Sequence, residues 1–118
     1  MRTSPATDVQ LRVTVAPGIR LGPGKAQLLQ GISETGSISA AGRRMGMSYK
    51  RAWYLIEALN GHFDAALVEA TKGGKTGGGA RLTSLGTEVL NAYREMELAT
   101  AKAVAPILRR LQCKVISS

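Results

Sequence analysis

Between Ser37 and Gly61 the sequence writes two short helices back to back, each opened by a serine and closed by a glycine. Ser37 or Ser39 is placed to accept hydrogen bonds from the free N–H groups of the first helix, whose inward residues are Ile38, Ala41 and Met45. Gly46 closes it after roughly two turns. Ser48 caps the second, in which Ala52, Leu55, Ile56 and Leu59 recur at i, i+3, i+4 and i+7 until Asn60-Gly61 stops it. Helices this short cannot bury a face alone. Small Ala40, Ala41 and Gly42 let the pair close across a tight turn at Gly46-Met47, the arrangement of a helix-turn-helix.

The flanking segments complete a mainly α domain with a small β-ribbon. Val9, Leu11, Val13 and Val15 alternate with polar residues as in a half-buried strand, behind a polar, flexible stretch over residues 1–8. Pro17, Gly18, Gly22, Pro23 and Gly24 break regular structure, and from Lys25 a helix carries Leu28, Leu29 and Ile32 to a stop at Gly36. Ala66 to Thr71 reads as a strand, KGGKTGGG over residues 72–79 as a flexible tip, and Ala80-Arg81-Leu82 as the returning partner. Thr83 then caps a last helix in which Leu85, Val89, Tyr93, Met96, Thr100, Ala103 and Ile107 are spaced alternately four and three apart, a coiled-coil-like seam. Pro106 is expected to kink or stop that helix near Ala105, and the tail from Gln112 to fray. The predicted layout is a helix-turn-helix domain with its ribbon over residues 9–82, a dimerisation helix over 83–112 kinked near 106, and a tail over 113–118.

Charge and motif content narrow the function. Sixteen Lys and Arg against eight Asp and Glu give a net charge of +8, which favours a polyanionic partner over a merely solvated basic surface. Cys113 is the single cysteine, so no internal disulfide forms, and neither CxxC nor HExxH offers a metal site. Gly74-Lys75-Thr76 spells the end of a phosphate-binding loop, but Glu69 stands where that motif needs its first glycine. No nucleophile–base pair accompanies His62, and an enzyme is not expected. The N-terminus lacks a signal-peptide core and no run is apolar enough to span a bilayer, so the expectation is a cytoplasmic protein, nucleoid-associated and without membrane contact.

With Ala52, Leu55, Ile56 and Leu59 facing inward, the second helix of the pair presents Ser48, Tyr49, Lys50 and Arg51 outward, with Tyr54 a turn later and no acid before Glu57. Lys and Arg at a helix start can read guanine acceptors in the major groove, while Ser binds phosphate. Trp53 lies beside the inward stripe and is assigned to the core rather than to the sugar-phosphate backbone. The glycine-rich ribbon carries Lys72 and Lys75 at its tip and Arg81 on its return, like the wing of a winged helix.

GSISAAGRRMGMSYKRAWYLIEALN followed by LVEATKGGKTGGGARLTSLG resembles the N-terminal DNA-binding domain of the ModE family of molybdate-responsive repressors, from about Gly24 to Leu98. Ser48-Tyr49 with Ala52-Trp53, the double-glycine, lysine, triple-glycine wing, and Leu82-Thr83 with Gly86 are its most specific pieces. The helix-turn-helix is similar, more distantly, to the LysR regulators. The resemblance implies a dimeric winged helix binding a palindromic operator in duplex DNA, with Ser48 to Arg51 in the major groove and Lys72 and Lys75 near the backbone or minor groove. Molybdate or tungstate enters only through this resemblance. ModE proteins hold it in C-terminal Mop-type domains, and the sequence reads either as a DNA-binding-only member, the preferred expectation, or as a fragment of a longer protein, with no cofactor in this chain. A protein-interaction module with an incidental basic surface is the competing reading, as is a direct oxyanion sensor.

Overall fold

The structure, a computed structural model, describes residues 9–74 and 77–116. The flexible stretch expected over residues 1–8, the last two residues of the tail expected over 113–118, and Lys75 at the wing tip lie outside them.

An antiparallel hairpin opens the fold, β1 (Val13–Ala16) and β2 (Ile19–Leu21), turned by Pro17 and Gly18. Gly18 has φ 81°, and proline followed by a left-handed glycine is the residue order of a type II turn. The stretch read as a simple break therefore contains a strand. The expected alternation through Val15 also fails, because the register shifts between Thr14 and Ala16. The bulge inserts Val15 as an extra residue, turning it outward and half-burying Ala16 in its place.

Four helices follow: α1 (Pro23–Thr35), α2 (Ile38–Arg44), α3 (Tyr49–His62) and, after the second ribbon, α4 (Ser84–Gln112). The ribbon between α3 and α4 pairs β3 (Val68–Gly74) with β4 (Gly77–Leu82), matching Val68 to Leu82 and Ala70 to Ala80. Both strands run further into the glycines than their composition suggests, since a ladder hydrogen bond needs only backbone. The ribbon is moored inward by Ala80 N–H, which donates to Gly36 O at 2.9 Å in the turn that ends α1.

The core lies where these elements meet. Leu28, Leu29 and Ile32 of α1 pack with Ile56 and Leu59 of α3, Leu67 before β3, and Val89, Leu90 and Tyr93 of α4. Each fully buried aliphatic contributes about 1.5–3 kcal/mol. Aromatics are scarce inside because the helices touch through small residues. A Cβ at Gly31 would lie 2.8 Å from Ala41 Cβ, and one at Gly42 would lie 3.1 Å from Ala52 Cβ.

Asn60 closes the junction between α3 and β3. Its Oδ1 accepts from Leu67 N–H at 2.8 Å and Val68 N–H at 3.1 Å, and its Nδ2 donates to Val68 O at 3.1 Å. Asn60→Ala should destabilise the protein by about 2 kcal/mol in urea unfolding, since half-buried backbone groups lose their partners. Asn60→Asp keeps both acceptances and should cost less. A stability unchanged by Asn60→Ala contradicts this role.

α4 does not stop at Pro106, contrary to one of the two outcomes expected of it. The proline lacks the N–H that would reach Lys102 O, a loss of one bond that a helix of this length absorbs. The helix ends at Gln112, and turn bonds such as Lys114 N–H to Leu111 O continue beyond it. No helix among the described residues is long and apolar enough to cross a membrane.

Candidate nucleic-acid interface

Ser37 is the cap of α2, its Oγ accepting from Ala40 N–H at 3.0 Å, while Ser39 instead accepts from the Arg43 guanidinium. The turn to α3 folds back on α2: Met45 and Met47 N–H both reach Gly42 O, and Gly46 takes φ 69°. That left-handed conformation suits glycine, as its place at the stop implied. Ser48 Oγ then accepts from Arg51 N–H at 3.1 Å, so the hydroxyl read as a phosphate ligand also caps α3.

With Ala52, Ile56 and Leu59 buried and Leu55 half-buried, the inward stripe of α3 is as the spacing indicates. The opposite face is open. Lys50 and Arg51 are exposed, Tyr49 is 56% and Tyr54 63% accessible, and no acid precedes Glu57. Trp53 corrects the sequence reading: it is 40% exposed and belongs to the outer face, four residues from Tyr49. One position beyond Ala52 is a rotation of about 100°.

Among the described residues no ion pair engages Lys50 or Arg51. Arg44 at the end of α2 is different, pairing with Glu34 of α1. Arg44, and after it Gln30, hold the Glu34 carboxyl below its ordinary range by hydrogen bonding. Arg81 is likewise engaged, its Nε donating to the cross-strand Glu69 at 2.8 Å. It is not a free cation on the ribbon. Lys72 lies on β3.

The seam of α4 divides. Val89 and Tyr93 are buried in the chain's own core and Leu85 packs against it. The Tyr93 hydroxyl donates to Leu11 O at 2.6 Å, and burial raises its pKa. Further along the same helix face, Met96 is half-buried, whereas Ala103 and Ile107 are exposed, Ile107 by 50%.

Residues 25–87, more than half of the chain, match the model for bacterial regulatory helix-turn-helix proteins of the lysR family. The chain belongs to this family. The chain is similar to the molybdenum-pterin-binding protein MopB of Rhodobacter capsulatus, 44% identical over 80% of this chain and 35% of that protein. It is also similar to the molybdenum transport protein ModE of Herbaspirillum seropedicae, 38% identical over 97% and 48% respectively. The chain thus spans about a third to a half of the length of these curated relatives. Among solved structures, the "Crystal structure of CbnR_DBD-DNA complex" aligns at a TM-score of 0.57 and 23% identity, covering 74% of this chain and 95% of that one. That likeness establishes the fold as a winged helix-turn-helix.

The LysR-family match runs from α1 through the first turn of α4, and leaves the N-terminal hairpin and most of α4 outside it. Sequence reasoning missed the long-range bonds of two residues that hold the site, Asn60 and Thr83. Asn60 was read only as part of a stop signal, and its bonds to the start of β3 leave no periodic trace. Thr83 was read as a cap, which it is through Gly86 N–H at 3.0 Å. It also donates to Ala66 O at 2.7 Å, and its own N–H reaches Leu67 O, tying α4 to the ribbon.

Proposed function

We propose that this chain is a sequence-specific regulator of transcription that binds duplex DNA as a homodimer in the bacterial cytoplasm, by way of α3 and the β3–β4 wing. The observation that carries this reading is the outer face of α3. Its first turns hold exposed Tyr49, Lys50, Arg51, Trp53 and Tyr54 without an acid, on a helix fixed from behind by Ala52, Ile56 and Leu59. Cationic and aromatic side chains at a helix N-terminus suit the major groove. Lys72 and Lys75 would add backbone contacts from the wing, while Arg81 would first have to leave Glu69.

The far half of α4 supports a dimer. Ala103 and Ile107 lie exposed on the face that buries Val89 and Tyr93 nearer the core. Two copies joined there would present two α3 helices to a palindromic operator with half-sites about 34 Å apart.

An electrophoretic mobility shift with genomic fragments at several salt concentrations tests the reading. The expected result is tight, selective retardation that weakens steeply with salt, as counterion release requires. Ile107→Glu should convert the dimer to a folded monomer in sedimentation equilibrium. No selective complex at any salt concentration rejects DNA regulation, and an unchanged mass rejects the seam.

A further inference from the structure

A cleft of about 360 Å³ opens between the N-terminal hairpin, the start of α1 and the start of α3. Its charged lining is entirely cationic: Arg12, Arg20, Lys25 and Arg51, with Met47 and Leu55 forming an apolar wall. The four charges come from different parts of the chain. Arg12 precedes β1, Arg20 lies on β2, Lys25 is in the first turn of α1, and Arg51 in that of α3. Among the described residues none of them is in an ion pair.

The cleft is built rather than incidental. Lys25 Nζ donates to Arg20 O at 2.9 Å, which pins the hairpin to α1. Arg12 lies along the entry to α1, its Nε 3.2 Å from where a Cβ on Gly22 would be. Gly22 caps α1 without a side-chain hydrogen bond, so no side chain of the cap covers the positive end of that helix. Four like charges around one cleft repel one another unless an anion sits among them.

We propose that this cleft binds a backbone phosphate of the duplex, beside the bases approached by α3. The inference rests on the DNA-binding reading and adds a recognition element to it, the N-terminal hairpin. Arg51 decides in favour of a phosphodiester. It is shared between the cleft and the first turn of α3, so the occupant lies next to the surface that α3 offers to the groove. In this arrangement the hairpin fixes register along the DNA, as phosphate contacts do, and carries no sequence information itself.

The test compares wild type, Arg12→Ala/Arg20→Ala and a charge-matched control, Lys102→Ala/Arg109→Ala, on operator and random duplexes. Arg12 and Arg20 are both exposed, and thermal unfolding verifies that the variant is folded. The cleft variant should weaken binding to every sequence equally and reduce the slope of log K against log salt by about 0.9 for each phosphate no longer neutralised. The control should leave the slope unchanged. A methylphosphonate placed singly along the site should, at one symmetry-related position in each half-site, weaken wild type and leave the cleft variant indifferent. A slope matching wild type, or identical methylphosphonate profiles, overturns the proposal. So does inorganic phosphate saturating the wild-type cleft in calorimetry while the DNA slope of the variant is unaltered, which assigns the cleft to a free anion. If wild type retards no duplex, the DNA reading fails and the cleft proposal with it. If wild type binds and the cleft variant behaves identically, the cleft proposal alone fails.

Discussion

Gly86→Ala is expected to destabilise the protein by about 3 kcal/mol, the upper end of the cost of overpacking. A Cβ at this position would lie 2.0 Å from Leu67 O and 3.0 Å from Leu67 C, both backbone atoms. Neither can step aside as a side-chain tip would. Leu67 is fully buried, its N–H is held by Asn60 and its carbonyl by Thr83 N–H, so moving it disturbs α3, the ribbon and α4 together. The gain in helix propensity from replacing glycine, up to about 1 kcal/mol, does not offset this. Gly61→Ala is the contrast, since Gly61 is helical and nothing stands within 4 Å of its would-be Cβ. It should be neutral or slightly stabilising. Thermal unfolding followed by circular dichroism should place the Gly86→Ala midpoint about 10 °C below wild type. A fall of only a degree or two would show that α4 can back away from Leu67.

The same residue explains what Leu82-Thr83-x-x-Gly86 does physically. Leu82 ends β4, Thr83 both caps α4 and bonds to Ala66 O, and Gly86 lets the helix backbone come against Leu67. The spacing is visible in sequence as a cap followed three residues later by a glycine. Its function as a close crossing of helix and chain needs the third dimension.

Local rules were enough wherever the chain's own neighbours decide conformation. Gly36 and Gly46 are left-handed where helices were expected to stop, and Ser37, Ser48 and Thr83 cap where helices were expected to begin. They failed wherever distant partners decide. Val15 faces outward because a bulge shifts the register of β1 against β2, and β2 itself hides among glycines and prolines. Trp53 lies 40% exposed, rotated by about 100° from Ala52 and so off the buried stripe of Ala52, Ile56 and Leu59, and its size alone does not draw it inside. The α4 seam is continuous in sequence, yet only packing reveals that Val89 and Tyr93 serve this chain's core. For the candidate site, Ser48 to Arg51 and Tyr54 were legible as an exposed, acid-free surface. The cationic cleft was not, because it gathers residues from Arg12 to Arg51 that only the fold brings together.

The largest functional effect is expected from Lys50→Ala/Arg51→Ala, which should abolish preference for the operator over random DNA. Neither side chain is buried, and the α3 cap uses only the Arg51 backbone N–H, so the fold should persist. A bidentate contact to guanine discriminates by about 1–3 kcal/mol, and a dimer makes each contact twice. Losing both is therefore worth about 4 kcal/mol or more, on the order of a thousandfold in selectivity. The two positions need not share this equally. Arg51 also lines the cationic cleft, whereas Lys50 does not. If Arg51 spends its guanidinium on phosphate, Lys50→Ala alone should collapse the ratio of operator to random affinity. Arg51→Ala alone should instead lower both affinities and the salt slope. Titrating each variant against both duplexes separates these contributions, and a ratio unchanged in the double variant would reject α3 as the helix that reads bases.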